Sequence, residues 1–194
     1  AGAVRSYTIE AMMGDKRALQ SGTSHFLGQN FARAFGTQYL DSNNELQYVW
    51  QTSWGLSTRM VGAVVMVHGD DQGLVLPPVL APIQVVVVPI WRKDEQRDAI
   101  MAAVADLRAH LTGVRLKVDD REDVSPGFKF NDWEMRGVPV RIEIGPRDVA
   151  SGEIVLARRD RSGPEAKQKA PIADASTRVT ALLGEIQKGL FEQA

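Results

Sequence analysis

Four short stretches carry the side chains from which a reaction or a recognition event could be built. Ser24-His25 sets a nucleophile beside a base. Neighbours on an extended strand point to opposite faces, so these two cannot act on each other and a hydrolase is disfavoured. His68-Gly69-Asp70-Asp71 offers metal-capable donors. Its spacing fits no defined site, and a helix end followed by a glycine turn is the better reading. Thr52-Ser53-Trp54-Gly55-Leu56-Ser57-Thr58-Arg59 ends a polar strand in an arginine that enters an apolar run, with a Trp-Gly pair where a ligand can approach the backbone. An arginine so placed calls for an anion, because burying it unpaired is costly. A bound ligand and a protein carboxylate both satisfy that demand. The fourth stretch, Pro126 to Arg136, interleaves Phe128, Phe130 and Trp133 with Lys129, Glu134 and Arg136. Such a mixture can stack unpaired bases and read their edges. It can equally be three core aromatics with solvated charges between them.

The rest of the composition narrows the field. The chain has 194 residues, 44% hydrophobic and 24% charged, and a net charge of -1. Any binding of nucleic acid must therefore rest on a local patch, not on bulk charge. Cysteine is absent, which removes disulfides, thiol nucleophiles and thiolate-bound zinc. With three histidines and no suitable spacing, no metal site is expected. No glycine-rich phosphate loop is present. The apolar runs Met60 to Val67 and Val85 to Val88 fall short of the ~20 residues that span a bilayer. No signal peptide, no membrane association and a cytoplasmic location are the expectations. The chain opens Ala1-Gly2-Ala3 without a methionine and runs to Ala194 without a cap, so a piece of a longer protein is expected.

The elements that must position these residues follow from periodicity. Arg5 to Ala11 and Ala18 to His25 read as strands around a Gly14-Asp15-Lys16 turn. Leu27, Phe31 and Phe35, at steps of four, predict a short helix with one buried face. Thr37 to Leu40 and Leu46 to Ser53 read as strands around Asp41 to Asn44. The apolar run after Arg59 suits a buried helix or a buried strand. Pro77, Pro78 and Pro82 mark a linker. Beyond it, Ile83 to Ile90 predicts a strand covered on both faces. Asp94 is expected to cap a helix with Ile100, Met101, Val104, Leu107 and Leu111 on one side, ended at Gly113. Val114 to Val118, Val138 to Ile144 and Glu153 to Ala157 read as strands. Asp119 to Asn131 reads as irregular, with a helical turn around Trp133, and Arg158 to Lys169 as a polar low-complexity stretch. Asp174 opens a last helix burying Val179, Leu182, Leu183, Ile186 and Leu190. The order of elements implies a small α/β sheet in the second part of the chain.

Taken in order, several segments resemble the prolyl-tRNA synthetase family of the archaeal/eukaryotic-like type. They are Tyr7-Thr8-Ile9-Glu10-Ala11, Ala18 to His25, Leu27-Gly28-Gln29-Asn30-Phe31, Thr52 to Arg59, His68 to Pro78 and Ala81-Pro82-Ile83-Gln84. The run from His68 to Pro78 is the most specific. The resemblance implies that residues 1–79 are the C-terminal part of a class II synthetase catalytic domain, an α+β remnant with antiparallel strands. Residues 80–175 would be a small mixed-sheet α/β anticodon-binding domain, and 176–194 the start of a C-terminal helix or extension.

By the same resemblance, Thr58-Arg59 opens the third class II motif, which assigns Met60 to Val67 to a helix. Arg59 would be the catalytic arginine on the ATP phosphates, with Gln20, Thr23 and Ser57 holding the nucleotide and Mg2+ accompanying it. His25 would line the proline pocket, with Trp54 and Gly55 at its floor. Lys129, Phe130, Trp133, Glu134 and Arg136 would contact the bases of proline tRNA. The implied activity is ATP-dependent attachment of proline to its tRNA through prolyl-adenylate, in a homodimeric parent enzyme. The first two class II motifs would precede residue 1, so this stretch alone is expected to be inactive. Gln72 and Val79 stand where family members often carry a basic residue. The alternatives are a non-catalytic, synthetase-like tRNA-binding module and an unrelated α/β ligand-binding domain.

Overall fold

A computed structural model describes residues 2–193, so the uncapped end at Ala194 lies outside the described residues. The chain divides into two compact units, Ala1–Val67 and His68–Ala194.

In the first unit, β1 (Arg5–Met12) and β2 (Ala18–Gly28) form an antiparallel hairpin. Helix α1 (Asn30–Phe35) follows, then the short hairpin β3 (Gln38–Leu40) and β4 (Leu46–Tyr48). Strand β5 (Gln51–Gly55) returns to pair with β2, giving the order β1-β2-β5, and α2 (Arg59–Val67) closes the unit. Two expectations change here. The run Leu46 to Ser53 breaks at Val49-Trp50, so that one apolar stretch serves two separate sheets. In α1 the face of aromatics is not buried: Phe35 is 78% exposed and Ala32 alone is buried. Phe31 and Phe35 stack on each other at 6.2 Å, while the small residue faces the strands.

The second unit begins with a tight hairpin, β6 (Gly69–Asp70) and β7 (Gly73–Leu74). Its main elements are β8 (Val85–Pro89), α3 (Asp94–His110), β9 (Leu116–Val118), α4 (Pro126–Met135), β10 (Val140–Ile144), α5 (Pro146–Ser151), β11 (Glu153–Arg158), β12 (Lys167–Pro171) and α6 (Ala175–Glu192). The five-stranded sheet runs β12-β11-β10-β8-β9. Its β8 is parallel to β9 and β10, and β11 is antiparallel to β10 and β12. One face packs Val85, Val87, Val140, Ile142 and Ile144 against Ile100, Val104 and Leu107 of α3 and Val179, Leu182 and Ile186 of α6. The other face sets Val86 and Val88 against Trp133 of α4. Strand β8 is therefore buried on both sides, as its unbroken valine run predicts.

Four readings of this unit are corrected. The segment taken as irregular is helical from Pro126, because Ser125 caps it through Phe128 N–H (3.3 Å) and proline suits the first turn. Asp94 lies inside α3, and Lys93 occupies the cap position. The low-complexity stretch contributes an edge strand, β12, paired with β11 from Lys167 onward. The proline-rich linker is tied down: Arg115 donates to Ala81 O (2.9 Å) and Pro78 O (2.7 Å), and Gln84 Nε2 to Pro78 O (3.1 Å). The compact units divide at Val67/His68, and the domain boundary that the resemblance implies, after residue 79, falls inside the second unit.

The hairpin of β6 and β7 touches α4 backbone to backbone. A Cβ on Gly73, whose φ is +131°, would lie 2.4 Å from Met135 Cα. Gly73→Ala should therefore cost about 2 kcal/mol or more, from strain plus a displacement that no side chain can absorb. Gly113, at φ +80° with open space around it, is the control, and alanine there should cost only about 1 kcal/mol. Thermal unfolding of both variants checks the difference.

Candidate functional sites

The first site sits on the sheet of unit one. Tyr7, Ser24 and Trp54 align across β1, β2 and β5, as do Thr8, Thr23 and Gly55, and Ser6, His25 and Ser53. Gln20, Thr23, Gly55, Ser57 and Arg59 line a cavity of about 310 Å³. The Arg59 guanidinium donates to Gln20 Oε1 (3.3 Å) and Gln20 O (3.4 Å), and its backbone N–H donates to Ser57 Oγ (3.3 Å). It forms no salt bridge among the described residues. A Cβ on Gly55 would meet Thr23 Oγ1 alone, at 3.9 Å, which leaves the space over that backbone open to a ligand.

A second, largely apolar cavity of about 610 Å³ opens on the Trp54 side, lined by Tyr7, Ile9, Ser24, Trp54 and Leu56. The structure thus brings Gln20, Thr23, Ser57 and Arg59 together, and places Gly55 on the rim of both cavities. It does not bring His25 and Trp54 together. Strand alternation puts them on opposite faces, and His25 Nδ1 instead meets Ser6 Oγ at 2.7 Å.

The second site lies on the α4 side of the five-stranded sheet. A cavity of about 210 Å³ is walled by Glu134 on α4, Arg141 on β10, Lys167 on β12, Arg159 and Arg161 on the intervening turn, and Gln72 on the hairpin. Arg141 is buried between strands. Its Nε and Nη2 donate to Glu143 Oε1 (3.1 and 3.0 Å), and its Nη1 to Glu134 Oε1 (2.7 Å). The guanidinium lies 4.2 Å from the Phe130 ring centroid, and Lys167 Nζ lies 5.4 Å from the same ring.

The base-contact residues expected on α4 divide sharply. Lys129 and Trp133 are both largely buried, 3% and 6% exposed, and of the two only Trp133 lines the cavity. Lys129 Nζ donates to Asp119 O (3.1 Å), and Trp133 Nε1 to Asp119 Oδ2 (2.7 Å). The physical reason is the helix that the sequence reading missed: four residues apart on α4, both turn toward the sheet, while Phe128 turns out at 54% exposure. Phe130 is half-buried beneath Arg141. Glu134 reaches the cavity, and Arg136 is exposed, donating to Asp132 Oδ1 (2.9 Å).

Asp119 organises this layer. Its burial opposes ionisation, but bonds from Arg121, from the Trp133 indole and from the Arg121 backbone, with the nearby Lys129 charge, hold its pKa at about 2. Asp70 also lies below the usual carboxylate range, chiefly through Arg159. Sequence reasoning missed Arg141, Arg159, Arg161, Lys167 and Gln72. The available signal was the alternation Val140-Arg141-Ile142-Glu143-Ile144: two charges at i, i+2 within a strand flanked by buried strands share one covered face and must pair there.

Residues 84–182, about half the chain, match the family described as anticodon binding domain. The chain is 60% identical over 194 residues to the proline--tRNA ligase of Chloroflexus aurantiacus, covering all of this chain and 40% of that protein. It is 61% identical over 194 residues to that of Chloroflexus aggregans, again at 40% of the relative's length. The chloroplastic/mitochondrial proline--tRNA ligase of Arabidopsis thaliana is 56% identical over 199 residues, and 37% of it is covered. The chain thus spans about two fifths of the length of these relatives. With the match at residues 84–182 falling on the five-stranded sheet and its helices, the chain belongs to the anticodon binding domain family of the class II synthetases.

Proposed function

We propose that the chain is part of an enzyme that attaches proline to proline tRNA in the cytoplasm, working as a homodimer. In it, residues 68–194 read the anticodon loop and residues 1–67 form part of the site that activates the amino acid. The proline carboxylate attacks the α-phosphorus of ATP and pyrophosphate leaves; the terminal ribose 3′-hydroxyl of the tRNA then attacks the prolyl carbonyl of the adenylate, forming the ester and releasing AMP. This chain's share of that chemistry is positioning and charge neutralisation, with no protein nucleophile. Arg59, unpaired with any carboxylate among the described residues and lining a cavity with Gln20, Thr23 and Ser57, fits a phosphate. Among the described residues no cluster of three or more His, Asp or Glu could hold a metal, so Mg2+ would arrive with the nucleotide.

The observation that carries the reading is the cavity of about 210 Å³ on the α4 side of the five-stranded sheet. A splayed-out base finds acceptors on Glu134 and donors on Arg161 and Lys167 within one pocket. Arg136 stands clear of it for a backbone phosphate. The test is a titration of the 194-residue chain with the anticodon stem-loop of proline tRNA at two salt concentrations. Arg136→Ala should weaken binding to this loop and to one with scrambled anticodon bases alike and lower the salt slope by about one, whereas Arg161→Ala should weaken the proline loop selectively. Equal affinity for the proline loop and a loop with scrambled anticodon bases would exclude sequence reading.

A further inference from the structure

The pocket of the second unit is completed by a residue outside the matched domain. Gln72 lies at the tip of the hairpin of β6 and β7, twelve residues before the match begins at 84, yet it walls the same cavity as Glu134 and Arg141. Its backbone N–H donates to Asp70 Oδ1 (2.8 Å), while its side-chain amide makes no hydrogen bond among the described residues. The amide is exposed and uncommitted, with one donor group and one acceptor to offer.

The hairpin is held for this purpose by a buried arginine. Arg159, 8% exposed, grips both oxygens of Asp70 through its two terminal nitrogens, with Nη1 at 2.9 Å from Oδ2. Its remaining donor, Nε, bonds Glu134 O at 3.0 Å. One guanidinium therefore ties the turn that carries Gln72 to the turn of helix that carries Glu134. Leu76 N–H to Gly137 O (3.3 Å) and the close approach of Gly73 to Met135 complete the lock. Within the pocket, Arg141 occupies one Glu134 oxygen, Oε1, and Oε2 forms no bond among the described residues. A free carboxylate oxygen and a free amide thus face one cavity.

On the reading that this pocket takes an anticodon base, we infer that Gln72 is a second base-reading residue. Glu134 Oε2 accepts from a base N–H, and the Gln72 amide meets the neighbouring group on the same edge. Arg159 and Asp70 are the positioning pair that hold the two at a constant distance. Such an arrangement discriminates among bases because the wrong edge leaves a desolvated polar group unpaired.

The test uses the full 194-residue chain, with the proline stem-loop and a loop whose anticodon bases are scrambled. Gln72→Ala should weaken the proline loop about tenfold and leave the scrambled loop unchanged. Because Gln72 is exposed and makes only a backbone bond, the unfolding midpoint should not move. Asp70→Asn, which leaves Gln72 in place but loosens the hairpin, should reduce the same discrimination. Selective binding by the wild-type chain that Gln72→Ala leaves intact overturns the inference alone. An equal loss on both loops overturns it too, by making Gln72 a backbone contact. No selectivity in the wild-type chain overturns the anticodon reading and the inference with it.

Discussion

Replacing Arg59 with alanine in the full-length enzyme should slow adenylate formation about 100-fold and leave the unfolding midpoint almost unmoved. The guanidinium is exposed and bonds only a neutral residue, Gln20, at 3.3 and 3.4 Å. Those lengths are near the limit for a hydrogen bond, so their loss costs little, within the ~0.5 kcal/mol usual for surface changes. In the transition state the same group would face a pentavalent phosphorus and its leaving pyrophosphate. Losing a preorganised donor at developing charge costs on the order of 3 kcal/mol, which is roughly 100-fold in rate. Arg59→Lys should fall between, because it keeps the charge and loses the planar fork. Proline-dependent ATP–pyrophosphate exchange and a thermal melt decide the matter together. Surviving activity with collapsed stability would make Arg59 a structural residue.

Asp119→Ala carries the opposite signature: a large loss of stability, with any effect on RNA following from it. Asp119 is 2% exposed and accepts from Arg121 Nε (2.9 Å), Arg121 Nη2 (2.7 Å) and Trp133 Nε1 (2.7 Å). Removing the carboxylate strands a buried indole N–H and takes a negative charge away from the buried Lys129 ammonium. Breaking a buried pair on one side costs about 3–5 kcal/mol. Arg136→Ala, at the exposed end of the same chain of ion pairs, should cost under about 1 kcal/mol. Acid titration gives a second readout. With its folded pKa lowered from 3.8 to about 2, ionised Asp119 stabilises the fold fully above about pH 4, and that contribution disappears as pH falls through about 2. The wild-type chain should therefore lose stability across that window more steeply than Asp119→Asn, which has no proton to gain there. Identical acid unfolding profiles would remove Asp119 from this role.

Much of the architecture was legible along the chain because its signals are local. The hairpin of β1 and β2 needs only two β-prone segments and a polar turn. Unbroken valines in β8 require cover on both faces, and the spacing of Ile100, Val104 and Leu107 puts them on one side of α3. Gln20, Thr23, Ser57 and Arg59, grouped only through the family resemblance, line one cavity. What failed did so for identifiable reasons. Residue types alone leave Phe128, Phe130 and Trp133 open as a base-stacking surface or as core, because the helical phase of α4 decides which of Lys129, Phe130 and Trp133 faces the sheet. The hidden strand β12 is polar because it is an edge, so it lacks the apolar alternation by which a strand is read. His25 and Trp54 lie on neighbouring strands whose register, not their sequence neighbourhood, sets the faces they occupy.

The sequence by itself determined the class of the protein, the strands and helices with strong apolar periodicity, and the arginine that asks for an anion. Those are properties of residue type and of spacings shorter than one element. Only the tertiary structure decided which charges are free to meet a ligand. Arg141, Arg158 and Arg159 are alike in residue type. Yet Arg141 is sealed between Glu134 and Glu143, Arg158 is engaged by Asp160, and Arg159 is locked to Asp70, eighty-nine residues away. The reason is that desolvation and pairing depend on distances between elements, which sheet order and register set. The same cause brings Gln72 to a pocket built mainly by residues far beyond it in the chain.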